Sequence, residues 1–126
     1  MRALLRVLAA SLLLAAALLL AVPVQASEWS EWDVAGTITE AAERHGVDAE
    51  LLLAVAWCES RYDPLAIGDR GLSLGLFQLH RYGLQGDFWR QGYTDVWSAE
   101  QQADYAAWQF SLGNAGHWSC YWTVRS

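Results

Sequence analysis

The sequence predicts a small, mainly α domain. Three observations carry that expectation. Apolar residues recur at helical spacing in separate stretches, each opened or closed by a capping residue. Nothing alternates long enough to demand a large sheet. After an N-terminal apolar run of targeting type, 100 of the 126 residues remain, enough for one core and too few for two.

That N-terminal run comes first. Arg2 and Arg6 form a basic head, Val7 to Val22 is an almost unbroken Leu/Ala/Val stretch, and Val24-Gln25-Ala26 fits a small-residue cleavage site. Residues 1–26 are therefore expected to be a signal peptide. Residues 27–126 would form the mature domain, secreted or held in the periplasm or cell envelope. The competing reading is an uncleaved membrane anchor. The run is short for a spanning helix and Pro23 breaks it, so no stable membrane insertion is expected after cleavage.

Asp33 to Gly46 reads as the first helix, with Ile38, Ala41, Ala42 and His45 on one stripe and Gly46 as its end. Asp48 then reads as the N-cap of a second helix running to about Ser60. Leu52, Val55, Ala56 and Glu59 share one face of it, because residues three and four apart are neighbours. Asp63-Pro64 is expected to stop it. Leu65 to Ser73 reads as a loop, with Gly68, Asp69 and Gly71 as turn residues. Leu74 to His80 reads as a short third helix entered from Gly75. Arg81 to Trp97 is rich in glycine and aromatics and has no clear local signal. Ser98-Ala99-Glu100-Gln101 matches a capping box. The helix it opens has Ala103, Ala106, Ala107 and Phe110 on a narrow stripe, with Gly113 as its C-terminal cap.

The charge is lopsided. The chain has 8 arginines, no lysine and 14 acidic residues; without Arg2 and Arg6 the net charge is −8. Nucleic acid and anionic lipid are poor partners for such a surface. A neutral ligand such as a carbohydrate suits it. Cys58 and Cys120 are the two cysteines. In an exported chain they predict one disulfide, Cys58–Cys120, with two separate buried thiols as the competing reading. Such a bridge stabilises by about 4 kcal/mol in the chain-entropy picture. It would also draw the C-terminal segment beside Glu59. The aromatic tail from His117 to Trp122 is expected to be pinned by it.

Glu59 is the residue with the clearest chemical meaning. A carboxyl on an apolar face is costly to ionise, which is how a protein keeps an acid protonated near neutral pH. Taken alone, an exposed glutamate at a helix end is the blander reading. Trp57-Cys58-Glu59-Ser60, followed by Gly75-Leu76-Phe77-Gln78-Leu79, resembles the Glu-Ser and Gly-Leu-Met-Gln pair of soluble lytic transglycosylase domains, with Phe77 where that family has Met. The resemblance runs from about Ile38 to His80 and includes the His45-Gly46-Val47-Asp48 turn. The Cys-Glu-Ser triplet is also similar to the resuscitation-promoting factors.

The resemblance implies a lysozyme-like α domain acting on peptidoglycan glycan strands. The bond cut would be the β-1,4 link from N-acetylmuramic acid to N-acetylglucosamine. Glu59 would protonate the glycosidic oxygen and then act as base toward the muramyl C6 hydroxyl, closing a 1,6-anhydro ring without water and without a cofactor. Gln78 is implied as a glycan hydrogen-bonder, and Gly75 as the point where backbone packs close to the catalytic helix. Ser73 stands in for a loop serine of the family. The Gly-Leu-Phe-Gln segment is about one residue further from Glu59 than the family pattern. The later Ala-Tyr-Asn motif is absent, since Tyr105-Ala106-Ala107 falls within a helix. Tyr121, brought near Glu59 by the disulfide, takes the place of an aromatic contact.

Two rivals stand beside this reading. A hydrolytic muramidase needs a second carboxylate, about 5–9.5 Å across the scissile bond, and Asp63, Asp69 and Asp87 are the acids nearest in sequence. A catalytically inactive, secreted glycan-binding domain would keep the fold alone. His45 reads as packed or capping. His80 and His117 lack a third partner at ligand spacing, so no metal site is expected. Ser60 lacks a positioned base and is no nucleophile. Trp89, Trp97 and Trp118 are candidates for stacking on sugar rings. The expected state is a monomer.

Overall fold

Ser30 opens the first helix. Its hydroxyl accepts from the Asp33 N–H at 3.2 Å, and the Asp33 carboxylate accepts from the Ser30 N–H at 3.1 Å. This reciprocal box satisfies donors that a helix start leaves unpaired. Helix α1 (Glu31–His45) accordingly begins two residues before Asp33. The computed structural model describes residues 30–126. The predicted leader, residues 1–26, lies outside the described residues. At the other end Gly46 is left-handed at φ 66°, and the N–H groups of Gly46 and Val47 donate back to Glu43 and Ala42. That double bond is the reason a glycine is needed there.

Helix α2 (Ala49–Ser60) is capped as expected, the Asp48 carboxylate accepting from the N–H groups of Glu50 and Leu51. Leu52, Val55 and Ala56 are fully buried on its inner face. Its end is not set by Asp63-Pro64. Arg61 and Tyr62 both take left-handed backbone, φ 57° and 61°, and stop it two residues earlier. Asp63 instead closes a turn by accepting from the Leu65 N–H at 2.9 Å.

The expectations for residues 65–80 need correction. Leu65–Ser73 is not a plain loop and Leu74–His80 is not a helix. The segment forms a small antiparallel sheet, β1 (Ile67–Gly68), β2 (Ser73–Leu74) and β3 (Leu79–His80), in the order β1-β2-β3. Ile67 pairs with Leu74, and Ser73 pairs with His80. A short 3-10 turn, Asp69–Gly71, joins the first two strands. Helix fails between β2 and β3 because Gly75 and Gln78 both have positive φ, 81° and 48°, which reverses the chain. The apolar run Leu76-Phe77 that suggested a helix is buried in the core from a turn instead.

Helix α3 (Leu84–Arg90) lies in the stretch that carried no clear signal. Its Phe88 stacks on Tyr93, ring centroids 4.8 Å apart, and meets Tyr105 edge-on. Helix α4 (Ala99–Ser111) is capped by Ser98, whose hydroxyl accepts from the Gln101 N–H. The predicted reciprocal half of that box does not form. Gln101 turns its carboxamide oxygen to the N–H groups of Thr94 and Asp95. Gly113, at φ 83°, and Asn114 donate to Phe110 and Gln109, the same closing pattern as at Gly46. Ala103, Ala106 and Ala107 are fully buried, and their small side chains let α4 lie close against α1.

A last helix, α5 (Ser119–Val124), packs on α2 and carries the disulfide. Cys58 and Cys120 are bridged with Cα atoms 5.9 Å apart, so the predicted pairing is present. The fold is mainly α, and no helix among the described residues is long and apolar enough to cross a membrane.

Asp104 of α4 ties three parts together. It accepts from Arg44 at 3.1 Å and from the Tyr93 hydroxyl at 2.7 Å, and His45 Nε2 lies 2.8 Å away. Thus His45 leaves the apolar stripe for a hydrogen bond with Asp104. Burial acts to raise the Asp104 carboxyl, but these partners outweigh it and hold the carboxyl below its ordinary range. A depressed carboxyl adds stability above its unfolded value and loses it as acid protonates the folded state. Asp104→Asn should therefore cost roughly 1–2 kcal/mol at neutral pH by urea denaturation, with the difference closing in strong acid.

Candidate active site

Glu59 stands in the last turn of α2, half-buried, on the wall of a cleft of about 900 Å³. One hydrogen bond ties that turn to the β2–β3 turn, a second ties the C-terminal segment to the same backbone, and a third joins the C-terminal segment to Glu59. Ser60 donates its hydroxyl to the Leu76 carbonyl at 2.7 Å. Trp118 donates its indole N–H to the Phe77 carbonyl at 2.9 Å. The Cys120 N–H donates to Glu59 Oε1 at 3.4 Å, and the disulfide to Cys58 holds that N–H alongside. Burial pushes the Glu59 carboxyl above its ordinary value; the Cys120 N–H acts against this, and the Asp69 carboxylate adds to the rise. A carboxyl so placed holds its proton at a higher pH than a free glutamate does.

Both side-chain tethers land on the β2–β3 turn, and that turn is held in place by Gln102. The Gln102 carboxamide is fully buried. Its oxygen accepts from the Phe77 N–H at 2.7 Å, and its nitrogen donates to the carbonyls of Leu74 and Val96 at 3.0 and 2.6 Å. Gly75 is the close-approach point, but against Gln102 of α4 and not against α2. A Cβ there would stand 2.0 Å from Gln102 Nε2 and 2.7 Å from the Val96 carbonyl oxygen.

Gln78 lines the cleft with left-handed backbone. Its amide nitrogen donates inward, to the carbonyls of Ala66 and Gly75 at 3.2 and 2.9 Å. Its oxygen lies over Gly68, where a Cβ would approach it to 2.2 Å. The donors expected for a glycan are thus engaged with the backbone of the sheet. Ser73 also lines the cleft, buried, with its hydroxyl donating to Asp69 Oδ2. Tyr121 does not line it. Its ring packs against Phe110 and Trp122. Of the three candidate second acids, Asp69 and Asp87 share the cleft with Glu59, whereas Asp63 is the turn residue described above. Trp118 lines the cleft from a buried position; Trp89 and Trp97 are exposed and lie elsewhere.

His80 and His117 both line the cleft. His80 Nδ1 accepts from the Tyr82 N–H at 3.2 Å, which leaves Nε2 as its proton-bearing atom when neutral. No group of three or more potential metal ligands occurs among the described residues.

Sequence reading missed the polar group formed by Asp87, Gln109 and Asn114, all of which line the cleft. It also missed Gln102. A signal was present. Gln102 and Gln109 lie seven residues apart among the buried positions of α4, and a carboxamide on a buried stripe needs partners.

Two outcomes follow from this geometry. Gly75→Ala should lower stability by at least about 2 kcal/mol, read from the urea midpoint, because a new Cβ both strains the backbone and displaces Gln102. Glu59→Gln should raise the melting temperature at neutral pH. Its folded carboxyl titrates above the unfolded one, so the native state loses stability as pH rises through that folded value. The gain should vanish below about pH 4, where the parent is protonated in both states.

The family model of the transglycosylase SLT domain matches residues 36–111, more than half of the chain. No curated protein and no solved structure matches it. The matched span holds Glu59, the sheet and α4, and it ends before Asn114 and the disulfide-bound tail. The chain therefore belongs to the transglycosylase SLT domain family.

Proposed function

We propose that this protein is an exported peptidoglycan lytic transglycosylase that cleaves the N-acetylmuramic acid to N-acetylglucosamine β-1,4 bond with Glu59. Residues 1–26 act as a removable leader, and the domain works in the cell envelope or outside the cell. The observation that carries this reading is a single carboxyl, half-buried on a cleft wall and met by one N–H from the chain's far end, in a chain of the SLT family. Protonated, Glu59 gives its proton to the glycosidic oxygen as the bond breaks. Ionised, it takes the proton from the C6 hydroxyl as that oxygen attacks the anomeric carbon. The proton is returned and the product is a 1,6-anhydro end. A carboxyl poised near the working pH serves both steps.

Asp69 favours a second reading. It lies in the same cleft, raises the Glu59 carboxyl, and is placed by left-handed backbone at φ 48° and by the Ser73 hydroxyl. A carboxylate across the scissile bond suits activation of water and hence hydrolysis.

Glu59→Gln should lower the cleavage of purified cell-wall sacculi by about 10²–10⁴-fold with glycan binding kept. Unchanged activity would sink the assignment, and a parent that binds strands without cutting them would mark a binding module. Mass spectrometry of the released fragments separates the chemistries. Anhydro ends support the transglycosylase; reducing ends, together with loss of activity in Asp69→Asn, support the hydrolase.

A further inference from the structure

Trp122 is the most exposed tryptophan among the described residues, with 62% of its surface accessible. It sits on α5, beyond the span that the family model matches. A single apolar side chain on a surface needs no explanation when it stands alone. This one is held in place, and it is held by the turn that carries part of the cleft wall.

The Trp122 indole N–H donates to the Gly116 carbonyl at 3.2 Å. Gly116 is the middle residue of a short 3-10 turn, Ala115–His117. A Cβ on Gly116 would stand 3.0 Å from Cζ2, 3.5 Å from Cε2 and 3.6 Å from Nε1 of the ring. Those three atoms follow one another along a single edge of the indole. The ring is therefore seated on the glycine by its N–H edge, and the missing side chain makes the seat. Tyr121 braces it, with ring centroids 5.0 Å apart and planes at 77°, and Tyr121 in turn meets Phe110 edge-on. The Arg125 guanidinium lies over the Tyr121 ring, 4.9 Å from its centroid. The disulfide at Cys120 fastens the same helix to α2.

This arrangement limits what Trp122 can offer a ligand. An indole has one donor and no acceptor, and here the donor is spent on Gly116. What stays accessible is ring surface. A flat apolar surface of fixed orientation suits stacking, and it loses little side-chain entropy when a ligand arrives because its rotamer is already set.

Its location says what would stack there. Asn114 and His117, on either side of the seat, line the cleft, and so do Trp118 and Ser119, which lead into α5. Trp122 is not part of the lining. Its seat is one residue from it, and consecutive Cα atoms are about 3.8 Å apart. A polymer that fills the cleft continues past the cleft walls, and on this side a braced indole stands next to the wall.

We propose that Trp122 is a glycan-stacking site beside the cleft, taking the apolar face of a sugar that lies beyond those held between the walls. The proposal rests on reading the cleft as a glycan site. It adds a preference for longer strands, set by the C-terminal segment and not by the span shared with the family.

The test uses the full domain carrying Glu59→Gln, so that ligands bind without being cut. Calorimetry compares the β-1,4 N-acetylglucosamine trimer with the hexamer. The reference should bind the hexamer more tightly. Trp122→Ala should weaken the hexamer by about 3- to 10-fold and narrow its advantage over the trimer. Trp122→Phe, which keeps a flat ring, should fall between the two. A structural role alone would weaken both oligomers in proportion. Proportional weakening, an unchanged hexamer in Trp122→Ala, or a reference indifferent to length overturns the proposal. So does a dimer of the reference, seen by sedimentation, that Trp122→Ala dissolves, since a second copy would then cover the ring. If Trp122→Ala fails to fold by circular dichroism, Trp122→Leu, apolar but without a flat face, takes its place with the same expected loss. A chain that shows the Trp122-dependent length preference but cuts no sacculi sinks the proposed function and leaves this inference standing. A chain that cuts sacculi with a length preference indifferent to Trp122 does the reverse.

Discussion

The turn from Gly75 to Gln78 is the constraint on which the rest of the site depends. Ser60, next to Glu59, hangs from its Leu76 carbonyl, and Trp118, two residues before Cys120, hangs from its Phe77 carbonyl. Gln102 holds the same turn from behind with an oxygen and a nitrogen that are both fully used. The helix bearing the acid and the tail that donates to it are thus referenced to a common piece of backbone. Buried amides serve such a purpose well. A half-satisfied one costs free energy, so only one arrangement of donors and acceptors fits the turn.

The acids divide by environment. Asp87 and Asp104 each collect several donors and are kept ionised. Glu59 has one N–H at 3.4 Å and a buried setting, which pushes it the other way. A chain this acidic has many carboxyls to choose from. Separating one from the others requires withholding partners from it, and the fold does so at a single helix end. Carboxyls driven apart in this manner are what an acid-base site needs.

Much of this was legible before any coordinates. Glu59 could be placed on the apolar face because Leu52, Val55 and Ala56 share its helical stripe. The disulfide followed from two cysteines in a chain that was expected, from its N-terminal apolar run, to be exported. The caps at Asp48, Gly46 and Gly113 followed from the few residue types that satisfy helix ends. The sheet was not legible, because strands of two residues show no alternation and because Leu76-Phe77 is apolar in a turn for reasons of burial. Gln78 was read as a ligand contact from its motif. That its nitrogen is committed to the Ala66 and Gly75 carbonyls depends on a left-handed backbone that residue type alone does not announce for glutamine. The Asp87–Gln109–Asn114 chain joins residues up to 27 apart in number, through a helix that carried no local signal.

The bridge between Cys58 and Cys120 closes a ring of chain with a sequence separation of 62, and every residue on the cleft wall, from Glu59 to Ser119, falls inside that ring. A single peptide bond severed anywhere between the two cysteines would still leave both pieces in one covalent molecule. The opposing walls of the groove could not drift apart, and the cut ends would remain near enough to re-dock. That topology makes a nick a local injury and not a dismemberment.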